Sequence, residues 1–388
     1  MESSSRPVLI VGGGPVGLLL AIMLSRAGVR CRVLERSETP DPHFRSIGIH
    51  PVALELLDIH GCAAPMIDEG QQIHRGSVSI GRRRIGSVDF REHLPPPFPF
   101  ILTLPQARTE AILESVLKRL DPDCLRRRVN VTSIHELSDR VVVRCREEGH
   151  TGYPEELLIE GSILIGCDGK RSLVRKSMEI PYTGRRYPDT YVMGDFRDRT
   201  GLGKNAQIFL HPQGLVESFP LPEGMRRWVV KTDQFQQDHV LRQLCQQVSR
   251  RLYIDLDPAD SLTRSSFRVH RRIARTFARG RLCLAGDAAH VVSPIGGQGM
   301  NLGWLNAAKL ASLIGSRSSE NSTLTKRQAL NYTRAGKRLA RRVARRAGFN
   351  MWFGRKYQFT LPRLLIVRSM VSRPVEPLMA RIFTMQGL

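Results

Sequence analysis

The sequence predicts an α/β fold in which a parallel, helix-flanked sheet carries an inserted, mainly antiparallel β-sheet and a short helical C-terminal tail. Three observations predict it. A β-branched and aliphatic run, Val8–Val11, leads through clustered glycines into an apolar helical run, Leu18–Ala27. A second such strand, Leu282–Ala285, leads through another glycine-rich loop into a helix over Met300–Ile314. Between them lie short alternating or β-rich runs at Thr190–Phe196, Gln207–Leu210, Val216–Phe219 and Arg227–Thr232, bounded by Gly and Pro turns, the pattern of antiparallel strands. A chain of 388 residues, 41% of them hydrophobic, is long enough to bury a large core together with an insertion.

The first element is the most informative. Gly12-Gly13-Gly14-Pro15-Val16-Gly17 follows a strand and opens a helix, the context a GxGxxG motif needs to have physical meaning. Gly12 permits the tight turn, Gly14 lets the backbone approach a pyrophosphate, and Gly17 allows close packing of helix on strand. The helix N-terminus, with the Pro15 and Val16 backbone, then faces the phosphates. The strand Cys31–Leu34 ends at Glu35 and Arg36, with Glu35 eighteen residues beyond Gly17, about where a carboxylate meets a ribose hydroxyl. Strand, helix, strand and acid make a Rossmann-like dinucleotide-binding unit. The motif alone does not separate FAD from NAD. The alternative is a glycine-rich turn that binds nothing.

The later strand, Leu282–Ala285, puts Asp287 just past its carboxyl end, where ligands bind in open α/β sheets. The helix that follows presents a positive N-terminal end able to stabilise negative charge. The run Gly280 to His290, then Ser293-Pro294-Ile295-Gly296-Gly297-Gln298-Gly299-Met300-Asn301, together with Gly166-Cys167-Asp168-Gly169 through Arg175, Arg45-Ser46 ahead of a Leu54–Leu57 helix, and Leu104-Pro105-Gln106 ahead of Glu110, resembles the FAD-dependent aromatic hydroxylases. These are single-component flavoprotein monooxygenases with the para-hydroxybenzoate hydroxylase-like fold. With the first fingerprint they form five landmarks in family order over residues 8–313.

The resemblance implies roles. Asp287 would accept hydrogen bonds from ribityl hydroxyls. Pro294, Gly297 and Gly299 would shape the flavin loop, with Met300 and Asn301 touching the ring through their backbone. Arg45 and Gln106 would pair with phosphate and ribityl groups, Asp168 would approach the pyrophosphate through water or a bond to the chain, and Val131 would touch adenine by its backbone. Each residue also has an ordinary reading: Asp168-Gly169 as a turn, Arg45 as a surface charge, Gln106 as a helix entry. Their order along the chain favours the family reading. His290 is expected to be structural and Cys167 a packed thiol. One departure is Asn306, where the family usually has Asp.

The implied chemistry is that NAD(P)H reduces FAD, oxygen adds at the flavin C4a position, and the resulting hydroperoxide delivers one atom to an activated, phenolic ring of an aromatic or polyketide-like substrate. The cofactor carries the chemistry and the protein orients and excludes water, so no catalytic side chain and no metal is assigned. Met193, Asp195, Phe209, Phe219 and Trp228 are substrate-facing candidates that serve equally well as sheet core. The rivals are a flavin-dependent oxidoreductase of this fold without oxygen insertion, and a non-catalytic flavoprotein that sequesters a ligand. A halogenase WxWxIP motif is absent around Trp228, Trp304 and Trp352, and Gly201-Leu202-Gly203 lacks the third glycine of a second dinucleotide fingerprint.

The formal charge of +23 attracts anions. Nucleic-acid binders cluster their basic residues and interleave aromatics, whereas the arginines here are spread along the chain, which argues against nucleic acid. The densest series, Arg338, Arg341, Arg342, Arg345 and Arg346, recurs at helical spacing, as a solvated helix face does. With Leu361, Leu364, Leu365, Ile366, Val367, Met379, Ile382 and Phe383 beyond it, the series also predicts weak, salt-sensitive association with anionic membranes. The alternative is that these apolar residues cover the nucleotide domain. Seven cysteines without a CxxC pair argue against a disulfide framework or thiolate zinc. The apolar run Val8–Leu24 is broken by glycines and falls short of a spanning helix, so a cytoplasmic protein is expected, membrane-peripheral at most. The domains are expected at 1–75, 101–180 and 266–340 for FAD, 76–100 and 181–265 for the substrate sheet, and 341–388 for the tail.

Overall fold

The computed structural model describes residues 6–40, 46–81, 83–148, 154–317, 323–356 and 361–387. Its first layer is a six-stranded sheet in the order Ala278–Arg279, Leu282–Leu284, Ile163–Gly166, Val8–Val11, Cys31–Leu34, Leu125–Arg126. All its pairings are parallel except the Ala278–Arg279 edge. The strands Val8–Val11 and Ile163–Gly166 are buried throughout, which is why they are continuous apolar runs with no alternation. Helix Pro15–Arg26 begins on a proline, whose fixed φ suits a first turn, and packs against helices Gln106–Leu120 and Gln298–Gly315.

The second layer is an eight-stranded sheet in the order His290–Val291, Ser261–Ala274, Tyr182–Arg197, Met225–Thr232, Val216–Pro220, Ala206–Leu210, Arg75–Ile80, Arg83–Asp89. Its pairings are antiparallel except Ala206–Leu210 with Arg75–Ile80. Side chains alternate across it. One face, with Val192, Phe196, Phe209, Val216, Trp228 and Val230, lies under Leu244, Val248 and Leu252 of helix Val240–Leu252. The opposite face, with Tyr191, Met193, Val229, Phe267 and Val269, meets Ile295 and Met351. Strand His290–Val291 leads directly from the Asp287 loop into this sheet, so the second face borders the late glycine loop.

Helix Lys326–Phe353 starts with a capping box between Thr325 and Gln328 and runs unbroken through position 340. It buries Leu339, Ala340, Val343 and Ala344 in the nucleotide-domain core and Met351 against the large sheet, while Arg338, Arg341, Arg342 and Arg345 face solvent. The tail helices are Leu361–Met370 and Glu376–Phe383. Just past them, Met385 packs into the core around the first sheet. Val367 packs with Leu210 and Leu215, and Met379 and Ala380 pack with Ile73, Val88, Phe90 and Leu94, closing over the far strands of the large sheet. Pro362 and Pro377 stand in first turns and so begin helices instead of interrupting them.

Candidate cofactor and substrate site

At the first glycine loop, three glycines answer three different constraints. A Cβ on Gly12, which sits at φ +107°, would lie 2.5 Å from the Cys167 carbonyl oxygen; one on Gly17 would lie 2.0 Å from the Gly12 carbonyl oxygen. Both positions are closed to any side chain. Gly14 faces open space, with no atom within 4 Å of its absent Cβ, so backbone there is free to be approached. The Pro15 carbonyl accepts a bond from Trp304 Nε1 at 2.9 Å, and Val16 packs its side chain between Gly286 and Gly303, tying the loop to the second fingerprint. The Glu35 carboxylate accepts from Gly13 N at 2.6 Å and Ser37 N at 2.8 Å, which leaves lone pairs for a ribose hydroxyl. Its backbone is held by Arg126 and Val129, with Val131 buried two residues on in the neighbouring three-stranded sheet. Arg36 is exposed.

The Asp-Gly and Gly-Asp motifs meet across Arg175. This buried guanidinium donates to the Lys170 carbonyl and to the Ala288 carbonyl, both at 2.9 Å, and lies 3.9 Å over the Tyr182 ring, whose hydroxyl donates to the Asp287 carbonyl. Asp168 turns inward. Its Oδ2 accepts from Leu173 N and Val174 N at the start of helix Leu173–Ser177, while Oδ1 is buried without a partner. Burial raises that carboxyl above its ordinary range against these bonds. Asp287 is an exposed residue, while the protein packed around its carboxyl pushes it up to about 6, with Lys170 acting the other way.

The late loop turns tightly. Gly297 N donates to the Pro294 carbonyl, and Gly296 and Gly297 both have positive φ, at 86° and 65°. Asn301 then sews three segments together: its Nδ2 donates to Gly48 O at 2.9 Å and Gly297 O at 2.8 Å, and its Oδ1 accepts from His50 N at 2.9 Å. His50 Nε2 bonds to Gly296 O at 3.0 Å, and burial pushes its imidazole down to about 4, so it is neutral. Gly299 and the buried Met300 lie in the first turn of helix Gln298–Gly315. Gln106, at the start of its own helix, donates to Glu110 at 2.8 Å. Arg45 lies outside the described residues.

His290 is buried, accepts at Nε2 from Asn306 Nδ2 at 2.7 Å, and is pushed down to about 4 by burial. A neutral imidazole held by an amide inside the core is a structural group. Burial likewise raises the Cys167 thiol. Sequence reasoning missed His50 and the bridging part of Arg175. The signal for His50 was its place directly after Gly48-Ile49, and Arg175 stood at the end of its motif. Of the substrate-facing candidates, Phe209 and Trp228 point to the far face under helix Val240–Leu252 and stack on each other. Asp195 is spent on a bidentate pair with Arg227, at 2.6 and 2.7 Å, and on Thr263. Phe219 packs toward the tail, and Met193 lies on the face that meets Ile295.

FAD fits these residues. The open backbone at Gly14, the carboxylate of Asp287 and the glycine turn at the N-terminus of helix Gln298–Gly315 supply a pyrophosphate approach, a ribityl acceptor and a positive end for the ring. Among the described residues, no group of three or more His, Cys, Asp or Glu could hold a metal ion, and no helix is long and apolar enough to cross a membrane.

The chain is similar to the 6-methylpretetramide 4-monooxygenase of Streptomyces rimosus, 32% identical over 316 residues that cover 80% of this chain and 56% of the relative. It is similar to the dialkyldecalin synthase of Streptomyces rugosporus, 32% identical over 323 residues, 78% of this chain and 65% of the relative. It thus spans less than two thirds of the length of both. The solved structure of p-nitrophenol 4-monooxygenase from Pseudomonas putida DLL-E4 superposes with a TM-score of 0.84 over 98% of this chain and 97% of that one at 23% identity, a likeness of fold. Residues 5–347 match the FAD binding domain family, and the chain belongs to it, with the fold of the para-hydroxybenzoate hydroxylase-like flavin monooxygenases.

Proposed function

We propose that the chain is the catalytic part of an FAD-dependent monooxygenase that consumes NAD(P)H and O2 to hydroxylate a fused-ring, phenolic, polyketide-like molecule. The observation that carries this reading is the junction between the two layers, where the late glycine loop, through Ile295, meets the largely apolar sheet face of Tyr191, Met193, Val229 and Phe267. A flat aromatic between that face and the ring edge would be oriented and kept from water. When bound, reduced flavin supplies the activated oxygen. The chain's own part is to hold it. Asp287 would accept from the ribityl chain and Glu35 from the adenosine ribose, Gly14 and the first helix N-terminus would receive the pyrophosphate, and the backbone of Gly297, Met300 and Asn301 would hold the ring. Neutral His50 and Asn301 fix that backbone without adding charge.

The test is NAD(P)H oxidation by the FAD-loaded protein against a panel of phenols, quinolones and aromatic polyketides. Stimulation with a product heavier by one oxygen atom is expected; neither stimulation nor product from any of them would overturn the reading. A second reading has one specific support, the likeness to a dialkyldecalin synthase: FAD held for structure while the pocket shapes a reaction without oxygen insertion. Turnover of a substrate with no NAD(P)H consumed would favour it. The peripheral membrane association is also proposed, on the exposed Arg338, Arg342 and Arg345, which share one helix face with exposed Phe349 and Trp352. Co-sedimentation with anionic but not neutral vesicles, lost at high salt, is the expected outcome.

A further inference from the structure

The face of the large sheet that meets the late glycine loop is not wholly apolar. Strand register sets Met193, Val229, Glu217 and Ile208 side by side in one row across four strands, with Tyr191 one row along, beside Phe267. Period-two alternation gives all of them the same face, the face that Ile295 and Met351 touch. Glu217 is 6% exposed and accepts no hydrogen bond among the described residues. Tyr191 is 1% exposed, its ring stacks on Phe267 at 5.3 Å, and its hydroxyl is buried without a partner. The two are near enough for their charges to interact. Of the nearby charges, Asp195 pairs with Arg227 and Asp189 with Arg355 at 2.8 Å, while Lys231, opposite Tyr191 in the register and 8% exposed, is a cation on the same face whose pKa burial lowers.

A buried phenol without a partner, beside a largely desolvated carboxylate that accepts no hydrogen bond among the described residues, is costly to fold. Burial alone pushes the Glu217 carboxyl up to about 7. Unsatisfied polar groups of this kind fit a ligand that completes them. A phenolic hydroxyl beside a ring carbonyl does so: its O–H donates to the carboxylate, and the carbonyl accepts from the tyrosine.

We propose that Glu217 and Tyr191 are the polar anchor of the substrate pocket, selecting neutral fused-ring phenols that present a hydroxyl next to a carbonyl. A carboxylate substrate would meet Glu217 charge against charge, and an ether would leave it without a donor, so aromatic acids and methylated phenols are disfavoured. The inference rests on the monooxygenase reading above and gives it a substrate class.

The test uses the FAD-loaded protein and two probes, emodin and emodin trimethyl ether, with binding read from the flavin absorbance change. Wild type is expected to bind emodin about tenfold or more tightly over the ether. In Glu217→Gln and Tyr191→Phe, each checked for retained FAD and an intact thermal transition, that preference shrinks to about threefold or less. A merely structural role would shift both probes together and leave the ratio unchanged. If wild type binds neither probe, the fused-phenol reading falls and the anchor with it. If wild type prefers emodin and both variants keep the preference, the anchor alone is overturned.

Discussion

The nucleotide end and the inner face of the large sheet spend their polar atoms differently. Around the glycine loops most side-chain bonds hold backbone, although among the described residues Asp168 Oδ1, His50 Nδ1 and Gln298 Oε1 are buried without a partner. Glu35 holds Gly13 and Ser37, Asn301 holds Gly48, His50 and Gly297, and Arg175 holds Lys170 and Ala288. What these bonds produce is backbone geometry, including positive φ at Gly12, Gly296 and Gly297. On the sheet face, the Tyr191 hydroxyl is buried without a partner among the described residues, and Glu217, 6% exposed, accepts no hydrogen bond from them. The first region is built for shape. The second carries stored cost that a ligand can relieve.

The largest expected effect separates fold from binding within the first region. Gly17→Ala drives a methyl against the Gly12 carbonyl, an overlap of backbone that no rotamer relieves, and costs about 3 kcal/mol or more; unfolding by urea should show an early midpoint and no retained FAD. Gly14→Ala, with open space around it, should leave that midpoint unchanged and weaken FAD alone. Equal destabilisation by both would erase the distinction.

Next comes the cost on the sheet. With the Glu217 carboxyl at about 7 when folded and an ordinary carboxylate value when unfolded, the folded state binds the proton more tightly. Its contribution is therefore fully present below about pH 4.3 and is lost as pH rises through about 7, a span worth about 3 kcal/mol. His50 and His290, both lowered to about 4, act in the reverse sense, losing stability as pH falls from 6.5 through 4. Both histidines are present in wild type and in Glu217→Gln, so their effect cancels in the comparison. Without ligand, wild type should gain stability relative to Glu217→Gln as pH falls from 8 to 5. A constant difference across that range would show that the carboxylate is not paying a burial cost.

Smaller still is Asp287→Ala, which removes a carboxylate acceptor and should weaken FAD about tenfold in a fluorescence titration, with the urea midpoint little changed. Glu35→Ala should cost less affinity but also loosen the first loop, since Gly13 N loses its acceptor.

The contrast also explains what was legible in the sequence. Glycines that must be glycines leave a spaced signature, so the first fingerprint and the late loop could be found as strings, and the parallel strands followed from uninterrupted apolar runs. Four strands of the large sheet were found too, though Tyr182–Arg197 is longer than its apolar part suggested, while Ser261–Ala274, Arg75–Ile80, Arg83–Asp89 and His290–Val291 were not read as strands. Which face each strand turns inward was not legible. Phe209 and Trp228 look like ligand-binding aromatics and point the other way, because alternation fixes parity within a strand but not which parity meets the cofactor. Glu217, one charged residue inside Val216–Pro220, carried no pattern at all. Asn301 was assigned through its backbone, and its side chain proves to be the joint between segments some 250 residues apart in sequence.

Helix Lys326–Phe353 has a consequence for engineering. At 28 residues it is about 42 Å long, rooted at one end in the core around the first sheet and at the other in Met351 beside the substrate face. Just past it, Arg355 clasps Asp189 and Gly354 O receives Leu215 N. A chimera that exchanges only the strands of the large sheet between relatives would inherit a strut cut for a different span. Recombination should instead join within this helix on the N-terminal side of Met351, so that each transplanted sheet travels with the Met351–Arg355 end packed against it.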